Sequence, residues 1–224
     1  QSGCSLLGGE TAELPGMYDA GHYDLAATAV GVVDKARIWN PERVQVGDVI
    51  LGLPSSGLHS NGFSLARKAL LSPEHAGLSF SDPLPGQPDI TVGDAMLIPT
   101  RIYEPAFAVL RELEGAPIHG AAHITGGGLL ENPQRAVADD QAVIIDMAPI
   151  ERPAIMKAIA AQGVEEMEMR KTFNCGVGML LYVDAERADE VQKALADAGE
   201  RSWHCGQVIE RGGADAPQVR FENE

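Results

Sequence analysis

Basic residues are scarce in this chain: 17 Lys and Arg stand against 32 Asp and Glu in 224 residues, a formal net charge of −15. A phosphate backbone or an anionic bilayer needs a basic face to displace its counterions, so nucleic acid and membrane surfaces are excluded as partners. Small phosphorylated ligands are not excluded, because backbone N–H groups and a divalent cation can hold them with few Lys or Arg. Cysteine is nearly absent too. Cys4, Cys175 and Cys205 make an odd count without CxxC spacing, which gives neither a disulfide framework nor a zinc site and suits a reducing cytoplasm. Each is expected to be a small buried hydrophobe. No apolar run is long enough to span a bilayer, and no charged-then-apolar leader opens the chain. The chain begins at Gln1, inside a patterned segment, and the natural N-terminus is expected to be missing.

The remaining composition is that of a globular α/β protein, 45% hydrophobic and 22% charged. A Gly-rich opening leads to a strand-like run over Tyr23–Val33, and the polar stretch Lys35–Val46, with Pro41, reads as a linker. Asp48–Leu53 reads as a buried strand, followed by a helix with Phe63, Ala66 and Leu70 on one face. Ser72–Pro88 holds four prolines and is expected to be a loop. Helical patterns resume near Asp89–Leu97 and Glu104–Leu113. In the last third, strands at Gln141–Met147, Val177–Val183, Trp203–Glu210 and Gln218–Glu222 alternate with helices over Pro153–Gln162 and after Asp184. That alternation predicts helices packed on a sheet.

Three Gly-rich polar turns are candidates for chemistry. In Gly8-Gly9-Glu10-Thr11-Ala12-Glu13 the backbone can approach a ligand and the two carboxylates can hold Mg²⁺, but the pattern alone favours a tight turn with solvated glutamates at a helix start. Ser55-Ser56-Gly57-Leu58-His59-Ser60-Asn61-Gly62 lies between a strand and a helix, where N–H groups and the positive helix end face whatever sits above the strand. The alternative is a helix cap at Ser60 or Asn61 with His59 on the surface. His123-Ile124-Thr125-Gly126-Gly127-Gly128 opens a helix and can form an anion-binding nest or a plain flexible turn. It is neither a Walker A loop nor GxGxxG. His119 and His123 lack a third ligand at zinc spacing. Arg170 and Lys171 can offer cations to a phosphate or simply end a helix.

Taken together, GCSLLGGETAELPGMY, GDVILGLPSSGLHSNGFSLARK, PTRIY, HITGGGLLEN and MRKTFNCGVGMLLYV resemble, in order and spacing, the phosphoribosylformylglycinamidine cyclo-ligase (AIR synthase) family. Single blocks are shared with wider ATP-dependent relatives, whereas SSGLHSNGFSL with TFNCGVGM is more specific. The resemblance implies a two-domain architecture: residues 1–34 end an N-terminal ATP-binding domain, 35–46 link, and 47–224 form an α/β C-terminal domain. It implies ATP and Mg²⁺, a phosphorylated ribosyl substrate, and a homodimer in the full-length protein. The implied reaction is ATP-dependent closure of an imidazole ring in purine synthesis; the alternatives are another kinase or synthetase of the superfamily, or a non-catalytic ligand-binding fragment. Glu10 and Glu13 are implied at the nucleotide and metal, and His59 and His123 in catalysis. Ser56, Ser60 and Asn61 are implied in the substrate cleft, Thr125, Gly126, Gly127 and Gly128 around a phosphate, and Thr172 and Asn174 in the wall. The family's acidic loops and its DGVGTK-type segment are absent from this chain, so the chain alone is expected to be inactive. Leu14 in place of Met, and Asn132-Pro133-Gln134-Arg135, are smaller departures.

Overall fold

A computed structural model describes residues 2–222; the expected domain bounds at residues 1 and 224 lie outside them. In chain order the elements are β1 (Val49–Pro54), α1 (Phe63–Leu71), β2 (Pro83–Leu84), β3 (Gln87–Thr91), α2 (Val92–Met96), α3 (Glu104–Arg111), β4 (Ile118–His123) and α4 (Gly128–Glu131). They continue with β5 (Gln141–Ile145), α5 (Ala154–Ala160), α6 (Glu166–Thr172), β6 (Val177–Val183), α7 (Ala188–Asp197), β7 (Trp203–Glu210) and β8 (Val219–Phe221). Six strands form one sheet in the order β4-β6-β1-β7-β5-β8, antiparallel except for β5 with β8. The expected α/β class is what forms. Among the described residues no helix is long and apolar enough to cross a membrane.

Strand β6 is buried along its whole length, since it lies inside the sheet with helices on both faces. Its side chains alternate between the two layers. Val177, Leu180 and Tyr182 join the core beneath α1, α2, α5 and α6, while Met179, Leu181 and Val183 join Leu51, Leu53 and residues of α3 and α7. The Tyr182 hydroxyl donates to the Pro133 carbonyl at 2.7 Å, so this aromatic is buried without leaving a polar atom unsatisfied.

Four expectations need correction. Tyr23–Val33 forms no strand: Leu25 and Val32 are 85% and 102% exposed, and among the described residues no backbone pairs with this run. A bridge between Pro15 and Tyr18 and a turn closed by the His22 N–H on the Asp19 carbonyl at 3.0 Å interrupt the arm. The proline-rich loop contains the β2–β3 hairpin, so Asp89–Thr91 is strand and the helix starts at Val92, capped by the Thr91 hydroxyl. The latter part of the expected linker is docked: Trp39 meets Phe107 edge-on at 5.5 Å, Val44 is buried, and Gln141 Nε2 donates to the Val44 carbonyl. Finally, Cys4 is exposed on the arm, while Cys175 and Cys205 are buried. Burial pushes those two thiols up to about 11 and about 12, which makes them inert packing groups rather than nucleophiles.

Candidate functional site

Strand β1 delivers the chain at Pro54 to the loop 55–62, and α1 begins beyond Gly62. Gly62 has φ +74°, and a Cβ there would lie 2.7 Å from Cδ1 of the buried Phe173 ring. Only glycine satisfies both the conformation and the space. His59 also has positive φ, +58°, a strained setting that turns its imidazole inward, where it is 4% exposed. The Ser56 N–H donates to His59 Nε2 at 3.1 Å. That acceptor role leaves the ring proton on Nδ1, which is buried and has no partner among the described residues.

Two aromatic neighbours complete a triangle. The His59 and His123 ring centroids are 6.1 Å apart, and the Tyr103 ring lies 6.3 Å from the first and 5.8 Å from the second. Tyr103 precedes α3 and donates its hydroxyl proton to the Pro54 carbonyl at 3.0 Å. Arg101 donates to the same carbonyl at 3.0 Å, pairs with Glu200, and lies 5.3 Å from the Tyr103 ring centroid. The end of β1 is thereby fixed from the PTRIY segment, which also supplies the Pro99 carbonyl to Ser56 Oγ (2.6 Å) and the Thr100 hydroxyl to Ser60 Oγ (3.1 Å).

Burial first, then the charges of His123 and Arg101, holds His59 down at about 4; burial also lowers His123. At neutral pH His59 is therefore an uncharged hydrogen-bond donor. An unfolded histidine titrates near ~6.5, so the unfolded state takes up the proton first. Stability is complete above that pH and is lost as pH falls towards 4. Urea unfolding at pH 5 is expected to show roughly 1 kcal/mol less stability from this group than at pH 7, allowing for solvent screening, and a His59→Asn chain is expected to lose most of that difference.

The third turn joins from β4. Gly128 has φ +57°, and a Cβ there would fall on the Arg170 carbonyl and 2.7 Å from that of Lys171, so the glycine lets α4 start hard against α6. The buried Asn132 holds the loop closed: its Oδ1 accepts from the Thr125 N–H at 2.5 Å and its Nδ2 donates to the Gly126 carbonyl at 3.0 Å. Asn132→Ala is expected to cost about 1 kcal/mol, because the two hydrogen bonds of the buried amide to the part-buried loop backbone are lost; urea denaturation measures it. Asn61 Oδ1 lies 3.8 Å from where a Gly126 Cβ would stand, which puts the second and third turns side by side.

Of the expected site residues, His59, His123, Ser56, Ser60, Asn61 and the Thr125–Gly128 turn are brought together. Asn174 is a buried brace: its amide donates to the Gly57 carbonyl and its oxygen accepts from the Gly176 N–H, each at 2.9 Å. The Thr172 hydroxyl donates to Glu168 at 2.9 Å, and its methyl group approaches Gly62. Arg170 pairs with Glu166 at 3.0 Å and lies over the Phe221 ring at 4.0 Å, so it closes the core rather than the cleft. Glu10 and Glu13 are exposed on the arm. Among the described residues no three His, Cys, Asp or Glu groups could together hold a metal. His119 is structural, with Nδ1 2.8 Å from the Asp48 carboxylate.

Tyr103, Arg101 and Asn132 were not among the expected site residues. Their signal was the PTRIY and HITGGGLLEN blocks, read as matches and not as chemistry. A separate apolar cavity of ≈ 510 Å³ between residues 32–39 and α3 contains none of the expected site residues.

Residues 45–216 match the family described as AIR synthase related protein, C-terminal domain. A phosphoribosylformylglycinamidine cyclo-ligase of Sorangium cellulosum is 47% identical over 95% of this chain and 60% of its own length. The protein of the same name from Chromobacterium violaceum is 45% identical over 96% of this chain and 61% of its own. Among solved structures, Thermotoga maritima PurL complexed with FGAR has the same fold, with TM-score 0.50 at 16% identity over 86% of this chain and 28% of that one. The chain thus spans about 60% of the length of the curated relatives it matches. With the family match covering three-quarters of its residues, the chain belongs to the AIR synthase related proteins and carries their C-terminal domain.

Proposed function

We propose that this chain is the substrate-facing part of an ATP-dependent cyclo-ligase that converts 5′-phosphoribosylformylglycinamidine to 5-aminoimidazole ribonucleotide, with release of ADP and phosphate, in purine synthesis. The observation that carries the proposal is the meeting of the SSGLHSNG and HITGGG turns, with His59 and His123 at 6.1 Å. Relatives with that activity in their name support it.

In the reaction, ATP phosphorylates the formamide oxygen, the amidine nitrogen attacks the activated carbon, and phosphate departs as the imidazole closes. The chain's task is to hold the reacting atoms and stabilise the charge that develops. His59, neutral with its proton on Nδ1, suits hydrogen-bond donation to an oxygen that gains charge. His123, more exposed, suits proton transfer with the amidine. The Thr125 and Gly128 N–H groups are already engaged within the turn, which leaves those of Gly126 and Gly127 for a substrate phosphate. ATP and Mg²⁺ are assigned to a cleft completed by a preceding domain, with Glu10 and Glu13 contributed from the arm. The exposed apolar side chains of that arm support its packing in such a domain and across a homodimer, in a cytoplasmic enzyme.

The test joins this chain to the N-terminal segment of the Sorangium cellulosum relative and follows ADP and aminoimidazole together. Equal yields of the two, dependent on the formylglycinamidine ribonucleotide, are expected. ADP release driven by a different acceptor would instead assign a kinase or synthetase of the same superfamily.

A further inference from the structure

The same loop also borders a second concave site of ≈ 410 Å³, lined by Ser55, Ser56, Gln87, Glu151, Arg152, Lys157, Arg201 and Trp203. Its charge runs against the rest of the molecule. Three cationic side chains line it in a chain of net charge −15. Arg152 is fixed by a two-pronged pair with Glu166, at 2.6 and 3.1 Å. Arg201 holds Glu151 at 3.2 Å with both side chains about two-thirds exposed (66% and 67%), a pairing weak enough for a ligand to replace. Its guanidinium lies 5.7 Å from the Trp203 ring centroid, which gives the cavity a flat wall beside a cation. Lys157 is exposed at the rim. Ser55 adds a second kind of observation: it lines the cavity, and its Oγ is buried and has no hydrogen-bond partner among the described residues.

We propose that this cavity is a phosphate-monoester site, with Lys157 and Arg201 as the principal charges, the Ser55 hydroxyl as a neutral partner, and Trp203 as the wall for the body of the ligand. A tetrahedral dianion suits donors that converge from several sides, and the volume admits a sugar phosphate. The site is distinct from the Gly126–Gly127 nest and does not depend on the cyclisation reading. Ser56 belongs to both places: it lines the cavity and its N–H holds His59.

Calorimetric titration of the whole chain with inorganic phosphate and with ribose 5-phosphate tests this. Both are expected to bind to the wild type. Lys157→Gln and Arg201→Gln are each expected to weaken binding about tenfold, while Lys68→Gln, on the exposed face of α1, is expected to leave it unchanged. Tighter binding of ribose 5-phosphate than of phosphate assigns the site to a sugar phosphate, and equal affinity assigns it to free phosphate. Absence of binding at saturating concentrations overturns the proposal. So does binding that ignores Lys157→Gln and Arg201→Gln, or that falls equally with Lys68→Gln. The substituted side chains are exposed surface cations, and an unchanged thermal midpoint without ligand separates lost binding from lost folding.

Discussion

His59→Ala, in the chain joined to its N-terminal segment, is expected to lower kcat by about 10²–10³-fold with little change in KM. A preorganised donor aimed at developing charge contributes that much, and the contribution appears in the transition state rather than on binding. The tautomer decides what kind of variant restores activity. With Nε2 accepting from Ser56 and the proton on Nδ1, His59 acts as a donor, so His59→Asn, whose amide also donates and tolerates the +58° φ, is expected to recover part of the loss. If His59 transferred the proton itself, Asn would be as inactive as Ala. Steady-state kinetics of the two variants, with far-UV circular dichroism as the folding control, separates these roles.

Gly178→Ala is expected to be the most damaging single methyl group near the site. A Cβ at this position in β6 falls on the Tyr103 hydroxyl and 2.6 Å from His59 Cε1. Neither neighbour can yield freely: Tyr103 is held by the Pro54 carbonyl, and His59 is buried. Overpacking with loss of the Tyr103 hydrogen bond is expected to cost about 3 kcal/mol, which for a chain of this size lowers Tm by roughly 9 °C. Tyr103→Phe removes the atom that is struck. The double variant Gly178→Ala/Tyr103→Phe is therefore expected to be more stable than the sum of the two single changes requires. Additive losses in differential scanning calorimetry would show that Tyr103 is not where the strain falls.

Much of the sheet could be read in the chain because its signals are local. Asp48–Leu53 and Val177–Val183 are short apolar runs between turn residues, and the helix after Asp184 carries both its cap and its stripe. The Tyr23–Val33 run shows the limit of that reading. Its residues favour a strand, yet a strand is made by a neighbour's hydrogen bonds, and among the described residues none pairs with it. Ser72–Pro88 misled in the opposite sense: Pro83 is tolerated at a short hairpin's edge, a placement that composition does not reveal. At the site, the polar turns were visible, but their division of labour was not. Asn132 and Asn174 belong to the same blocks as the cleft residues, and their buried side chains brace the loops. Tyr103 reaches His59 and His123 across chain separations of 44 and 20 residues, a contact set by topology rather than by any local pattern.

The most direct measurement is a substrate titration followed through histidine ring resonances in the chain joined to its N-terminal segment. On adding formylglycinamidine ribonucleotide, the signals of His59 and His123 are expected to shift together. Those of His75 and His204, outside the cluster, are expected to stay in place. Unmoved His59 and His123 signals in a protein that still forms aminoimidazole would contradict the assignment of this cluster as the substrate site.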